Sequence, residues 1–232
     1  MKLSRATTIN EFVAESEKIL MNKTQLPVTP LQYAARISNP NGEWLEFGTG
    51  TGQSTTIMSK ERMGTNRVYT FDSFLGLPEN WGRLDYGKGS FKQPKPDLPR
   101  NVVCIEGMFE DTLPKFLQSH PNIEISLIHI DCDIYSSTKT VLKHLAPLIR
   151  PGCVLVFDEL FFYPGCEKHE ALALYEMLQE YGFHYEFIGI RGVLFGDQAI
   201  TQTPRDHMLG PDRNILPFDV DIMERVALRI LY

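Results

Sequence analysis

Four acids fall in two short runs, Asp131-Cys132-Asp133 and Asp158-Glu159, each at the end of an apolar stretch. The 27 residues from Asp131 to Asp158 fit one helical crossover between parallel strands, which puts both strand ends on one edge of a sheet. Neighbouring strands lie about 4.8 Å apart, so Asp131, Asp158 and Glu159 converge if the two strands are neighbours. Converging carboxylates repel unless a cation lies among them, and an all-oxygen set suits magnesium. The competing reading is that each acid only caps a helix or turn. Asp133, two residues past Asp131, is a candidate general base, or a cap for the next helix, which Ser136 or Ser137 can also provide. His129 falls inside the apolar run and reads as a hydrogen-bonded core histidine, whereas His169 and Glu170 follow a Tyr163-Pro164-Gly165 turn and are candidates to face a ligand.

A second chemical signal lies upstream. Glu46-Phe47-Gly48-Thr49-Gly50-Thr51-Gly52 separates a strand-like run from a helix-like one, and Asp72 follows 20 residues after Gly52. Glycines there let the chain turn sharply and let a ligand approach the backbone, and a carboxylate at that distance can accept from both ribose hydroxyls. The loop alone permits a nucleoside-containing cofactor or a purely structural turn. Gln53 stands where a dinucleotide fingerprint needs its third glycine, and no Gly-Lys-Ser/Thr phosphate loop follows.

The elements that must position these groups alternate. Strands are expected at 43–47, 67–71, 101–105, 125–130 and 153–157, with helices near 53–62, 111–119 and 137–149. This is an α/β pattern with a parallel sheet covered on both faces. A helix at 9–21 presents Ile9, Phe12, Val13, Ser16, Ile19 and Leu20 on one side, and Thr29-Pro30-Leu31-Gln32 reads as a capping box opening a second helix. Near the end, a helix at 168–181 precedes a strand at His184–Gly189, and Arg225–Leu231 is read as a closing strand. Two excursions leave this frame: 78–100, with Pro78, Pro94, Pro96 and Pro99, and 191–222, with Pro204, Pro211 and Pro217.

The 232 residues suit one domain, with residues 1–40 as N-terminal helices and a candidate lid, and 191–222 as a long loop. A net charge of −6 argues against nucleic acid as partner. The four cysteines form no CxxC pair and read as free thiols. The start lacks an apolar leader and no run suits a membrane span, so a soluble cytoplasmic protein without a membrane partner is expected. A homo-oligomer is left open.

Several motifs in order carry a family resemblance. Glu46-x-Gly48-x-Gly50-x-Gly52 resembles the first motif of class I S-adenosylmethionine-dependent methyltransferases. Phe71-Asp72-Ser73-Phe74-Leu75-Gly76-Leu77-Pro78-Glu79, Gly107-Met108-Phe109-Glu110-Asp111-Thr112-Leu113-Pro114, His129 to Thr138, Val156-Phe157-Asp158-Glu159 and Glu224 to Ile230 resemble the macrocin (TylF-type) O-methyltransferases of macrolide and aminocoumarin biosynthesis. The resemblance covers about residues 40–190 and the closing strand, and weakens at 191–222 and the first helices.

It implies a Rossmann-like seven-stranded sheet, mostly parallel, with a C-terminal antiparallel strand and helices on both faces. It also implies that Glu46, Gly48, Thr49, Gly50, Gly52 and Ser54 surround the methionine part of S-adenosylmethionine and that Asp72 binds its ribose. Ser73 and Phe74 would line the pocket, Gly107, Met108 and Phe109 border the adenine, and Asp131 touch the cofactor as well. Asp111 is read rather as a helix cap. Magnesium would be held by Asp131, Asp158 and Glu159, with Asp131 and Asp133 catalytic. The expected reaction is O-methylation of a small hydroxylated molecule, foremost a sugar or glycosylated metabolite. The rivals are a non-catalytic cofactor-binding module and a methyltransferase for catechol-like or macromolecular acceptors.

Overall fold

The computed structural model describes residues 6–22, 26, 28–62, 64, 66–83, 85–190 and 225–232. The expected loop at 191–222 lies outside the described residues. Seven strands form one sheet: β1 (Glu43–Phe47), β2 (Val68–Asp72), β3 (Val102–Glu106), β4 (Ile125–Ile130), β5 (Val154–Phe157), β6 (Tyr185–Ile190) and β7 (Val226–Ile230). Their order across the sheet is β3-β2-β1-β4-β5-β7-β6. The first five run parallel, and β7 lies antiparallel between β5 and β6. The closing segment is thus a strand, as its β-branched residues suggest.

Among the described residues six α-helices cover the faces: α1 (Ile9–Met21), α2 (Pro30–Ile37), α3 (Gln53–Glu61), α4 (Phe109–Ser119), α5 (Tyr135–Leu145) and α6 (Glu170–Tyr181). The larger core includes Phe12 of α1, Leu113 of α4, Val141 of α5 and Leu174 of α6. A smaller core joins Leu31 and Ala34 of α2 with Met58 of α3. All six residues of β4 are buried, because helices cover both faces of this central strand and leave no solvent side to alternate with. Both N-terminal helices begin with a reciprocal capping box, Thr8 with Glu11 and Thr29 with Gln32. They pack in the two cores and do not line the cavity described below.

Some boundaries shift from expectation. Asp72 is the last residue of β2, not the residue after it. α4 begins at Phe109 with Met108 as its cap, so Asp111 lies in the first turn and caps nothing. Its charge there still faces the positive end of the helix. α5 begins at Tyr135 with Ile134 as its cap, which removes the capping role considered for Asp133, Ser136 and Ser137. It ends in a 3-10 turn, Ala146–Leu148, because Pro147 has no N–H to continue the α-helical ladder. Cys132 and Cys153 are buried free thiols, Cys166 is buried, and Cys104 is half-buried. No helix among the described residues is long and apolar enough to cross a membrane.

The strand order reverses between β1 and β4. From β1 the chain winds outward through β2 and β3, and from β4 it winds the other way through β5. A crevice opens at such a switch point, at the carboxyl ends of the strands. Both chemical signals of the sequence fall there.

Candidate functional site

The backbone ladder continues one residue past the strand ends and fixes the edge. Gly48 N–H donates to Phe71 O at 2.9 Å, Asp131 N–H to Phe47 O at 2.9 Å, and Asp158 N–H to Ile130 O at 3.0 Å. Gly48 has φ 98°, and a Cβ there would sit 1.9 Å from the carbonyl oxygen of Asp131. Only glycine lets the loop after β1 pass so close to the loop after β4.

At one end of this edge the glycine loop closes on Asp72. Its Oδ2 accepts from the N–H groups of Thr49 (3.0 Å) and Gly50 (2.9 Å), and its Oδ1 from that of Phe74 (2.7 Å). An ionised carboxylate has about four acceptor positions, so room for a further donor remains. Glu46 plays a different part from the one expected. Its buried carboxylate accepts from the hydroxyls of Thr55 and Thr70 and faces His129 Nδ1 at 3.1 Å. It pins α3 to the sheet and does not line the cavity.

The other end is acidic. Asp131, Asp133 and Glu159 each bring a carboxylate oxygen to a common point, all within 4.8 Å of one another. Glu159 Oε2 is buried without a hydrogen-bond partner. Burial and then the neighbouring Asp158 charge push the carboxyls of Asp131 and Glu159 well above the usual range. The same two causes raise Asp133 to about 7, against the pull of Arg83. Asp133 sits at φ 64°, in a tight turn where Ile134 N–H reaches Cys132 O at 2.7 Å. A non-glycine residue held there costs about 1–3 kcal/mol, a strain that clusters at functional sites.

The expected trio of metal ligands is divided. Asp158 groups with Asp131 and His129, and not with Glu159. Arg225 Nε lies 2.8 Å from its Oδ1, and His129 Nε2 lies 3.8 Å away. Although burial opposes it, His129 and Arg225 hold Asp158 below the usual carboxylate range. Burial also opposes charge on His129, but Asp158 and Glu46 outweigh it and raise the imidazole to about 10. His129 is therefore a core histidine with a carboxylate on each side, and Asp133 shares with Asp131 and Glu159 a group whose geometry could hold a metal ion.

Between the two ends lies a cavity of about 660 Å³. Of the expected site residues, Gly48, Gly50, Asp72, Ser73, Gly107, Met108, Phe109, Asp131, Asp133 and Glu159 line it. Thr49, Gly52, Ser54, Phe74 and Asp158 are not part of its wall. Thr49 joins Thr70 through a 2.6 Å hydroxyl pair, and Gly52 caps α3.

The remaining wall comes from the excursion at 78–100 and the residues just before it. Leu77 and Trp81 pack on Ile134 in a small core of their own, and Tyr86 packs against it. Gly76, at φ 80°, lies so near Ser90 O that a Cβ would approach it to 2.3 Å. Glu79 accepts from Ser136 at 2.7 Å, fastening the excursion to α5. Arg83 stacks on the rings of Tyr163 (4.4 Å) and Trp81 (5.1 Å). Leu77, Trp81, Arg83, Tyr86, Phe91 and Gln93 all face the cavity and were not foreseen as site residues. The departure of this segment just after Asp72 was the available signal. His169 lies edge-on to Trp81 with its ring centre 6.3 Å away, outside the lining, and Glu170 is fully buried.

Residues 45–160, half of the chain, match a family described as a methyltransferase domain. The chain belongs to that family. Among curated proteins this methyltransferase domain is 28% identical over 141 residues to the 8-demethyl-8-(2,3-dimethoxy-alpha-L-rhamnosyl)-tetracenomycin-C 4'-O-methyltransferase of Streptomyces olivaceus, covering 51% of this chain and 52% of that protein. It is 28% identical over 93 residues to the mycinamicin III 3''-O-methyltransferase of Micromonospora griseorubida, covering 40% and 33%. The chain thus spans about half or less of the length of these relatives. Among solved structures, the calicheamicin methyltransferase CalS11 aligns over 94% of this chain and 91% of its own, with TM-score 0.57 and 19% identity. The O-methyltransferase NovP aligns over 69% and 74%, with TM-score 0.54 and 20% identity. At these identities the two structures establish the Rossmann-like methyltransferase fold.

Proposed function

We propose that this domain transfers the methyl group of S-adenosylmethionine to a hydroxyl of a small sugar or glycosylated molecule, with magnesium at the acid cluster, in the manner of the macrocin-type enzymes its motifs resemble. One observation carries the reading: a single cavity joins the glycine loop and Asp72 to Asp131, Asp133 and Glu159. Both curated relatives are O-methyltransferases by name, and the name of the Streptomyces olivaceus protein includes a rhamnosyl group, which agrees with it.

The donor would lie along Gly48 and Gly50, with Asp72 accepting from its ribose and Gly107, Met108 and Phe109 beside its base. Donor binding supplies an electrophilic sulfonium methyl for in-line displacement. Three carboxylates facing one another, one with a buried unpartnered oxygen, form a donor set that fits a hard divalent cation. Asp131, Asp133 and Glu159 would hold it, and bound there it supplies positive charge that lowers the pKa of a nearby hydroxyl. With one carboxylate oxygen toward the cation, Asp133 would offer its other oxygen to the acceptor's proton. Trp81, Tyr86 and Phe91 offer faces on which the apolar side of a sugar ring can rest.

The test is a mass-spectrometric screen of sugars, glycosides and catechols with the donor, run with magnesium and with chelator. Methylated sugar or glycoside formed only with the cation is expected. Product from catechols alone would move the acceptor class, and full activity in chelator would remove the cation from the account.

A further inference from the structure

Glu170 opens α6 and is fully buried, yet it lines neither the cavity nor either group of candidate metal ligands. A buried carboxylate is costly to desolvate unless its oxygens find donors. Its Oε1 accepts from the N–H of Cys132 at 3.2 Å and from the Thr138 hydroxyl at 3.4 Å. Cys132 lies between Asp131 and Asp133, and Thr138 lies in the first turn of α5. The N–H of Glu159 also faces this carboxylate. One side chain of α6 therefore meets the loop after β4 and the loop after β5, the two segments that carry the acid cluster.

The cluster needs such a tie. Asp133 is held at φ 64°, and its turn relaxes toward ordinary backbone unless the surroundings over-determine it. Asp131, Asp133 and Glu159 bring carboxylate oxygens within 4.8 Å of one another, so the two loops that carry them must be held in place. We propose that Glu170 is a positioning residue: by accepting from the Cys132 N–H and the Thr138 hydroxyl it holds the turn that carries Asp131 and Asp133 facing Glu159. This rests on the reading of that cluster as the cation and acceptor side of the site.

The experiment compares wild type, Glu170→Gln and Glu170→Ala. Manganese binding is followed by electron paramagnetic resonance, S-adenosylhomocysteine binding by calorimetry, and backbone protection by hydrogen exchange of peptides covering 130–138 and 157–162. Glutamine keeps an acceptor oxygen at the same reach, so Glu170→Gln should bind manganese within about threefold of wild type. Glu170→Ala should bind it at least tenfold more weakly and exchange faster in both peptides. Its S-adenosylhomocysteine affinity should stay within twofold. Unchanged manganese affinity in Glu170→Ala overturns the proposal, as does an equal loss of both ligands, which marks a general structural role. If wild type itself binds no manganese, the cation reading fails on its own, and hydrogen exchange decides: faster exchange confined to the two peptides supports positioning, unaltered exchange refutes it. Should Glu170→Ala not fold, Thr138→Val removes one of the tied donors and should weaken manganese binding in the same direction, with no weakening counting against.

Discussion

At the glycine-loop end of the cavity, Asp72 already accepts from three backbone N–H groups before any ligand arrives, and Glu46 holds α3 from behind. At the acid end, Asp131, Asp133 and Glu159 face one another with raised pKa values and a buried oxygen without a partner. The first end is a preformed cradle in which Asp72, already held by three N–H groups, keeps an acceptor position open. The second is electrostatically incomplete, and its repulsion falls when positive charge or protons enter. Ligands should therefore act on the two ends in different ways: the donor by shape, the cation by charge.

Removing the proposed proton acceptor should have the largest effect. Asp133→Asn should lower kcat by about 10²- to 10⁴-fold while S-adenosylhomocysteine affinity, measured by calorimetry, stays unchanged. A parallel loss of that affinity would show that the two ends are not separable. Where the ends meet, Gly48→Ala should cost about 3 kcal/mol or more in urea unfolding, because a Cβ would lie 1.9 Å from Asp131 O. A variant as stable as wild type would mean that the loops do not approach so closely.

At the preformed end, Asp72→Asn should weaken S-adenosylhomocysteine binding by about 10- to 100-fold, in line with lost charge-assisted hydrogen bonds. An amide has one acceptor oxygen, so either the loop N–H pair or that of Phe74 would meet an NH₂ group. Manganese affinity should not follow. The smallest effect concerns pH. A carboxyl raised in the folded state, such as Asp133 near 7, contributes stability that is complete below about pH 4 and lost as pH rises through 7. Magnesium should offset that loss, so the rise in Tm it gives should grow from pH 6 to pH 8. A rise independent of pH would place the cation away from these acids.

How legible was this in the sequence? The strands, their parallel order and the convergence of Asp131 with Asp158 followed from periodicity and crossover length, because a covered parallel sheet leaves few alternatives. The closing strand was readable from Val226 and Ile230 for the same reason. Side-chain direction was not readable. Glu46 and Asp72 both flank the glycine loop, but Glu46 lies inside β1 facing Thr55 and Thr70, whereas Asp72 ends its strand at the open edge. Asp158 was diverted by Arg225, which is 67 residues away in sequence, so no local pattern signals the pairing. The aromatic wall of Trp81 and Tyr86 comes from a segment held by loop hydrogen bonds and one small core, which has no period to read.

The central claim is that donor and cation share one cavity. It is tested most directly by nuclear magnetic resonance of S-adenosylmethionine carrying a ¹³C-labelled methyl, bound to the protein and titrated with manganese. The account predicts that one equivalent of manganese strongly broadens the methyl resonance, and that Asp131→Ala abolishes the broadening while the donor remains bound. A sharp methyl signal in the presence of tightly bound manganese would contradict it.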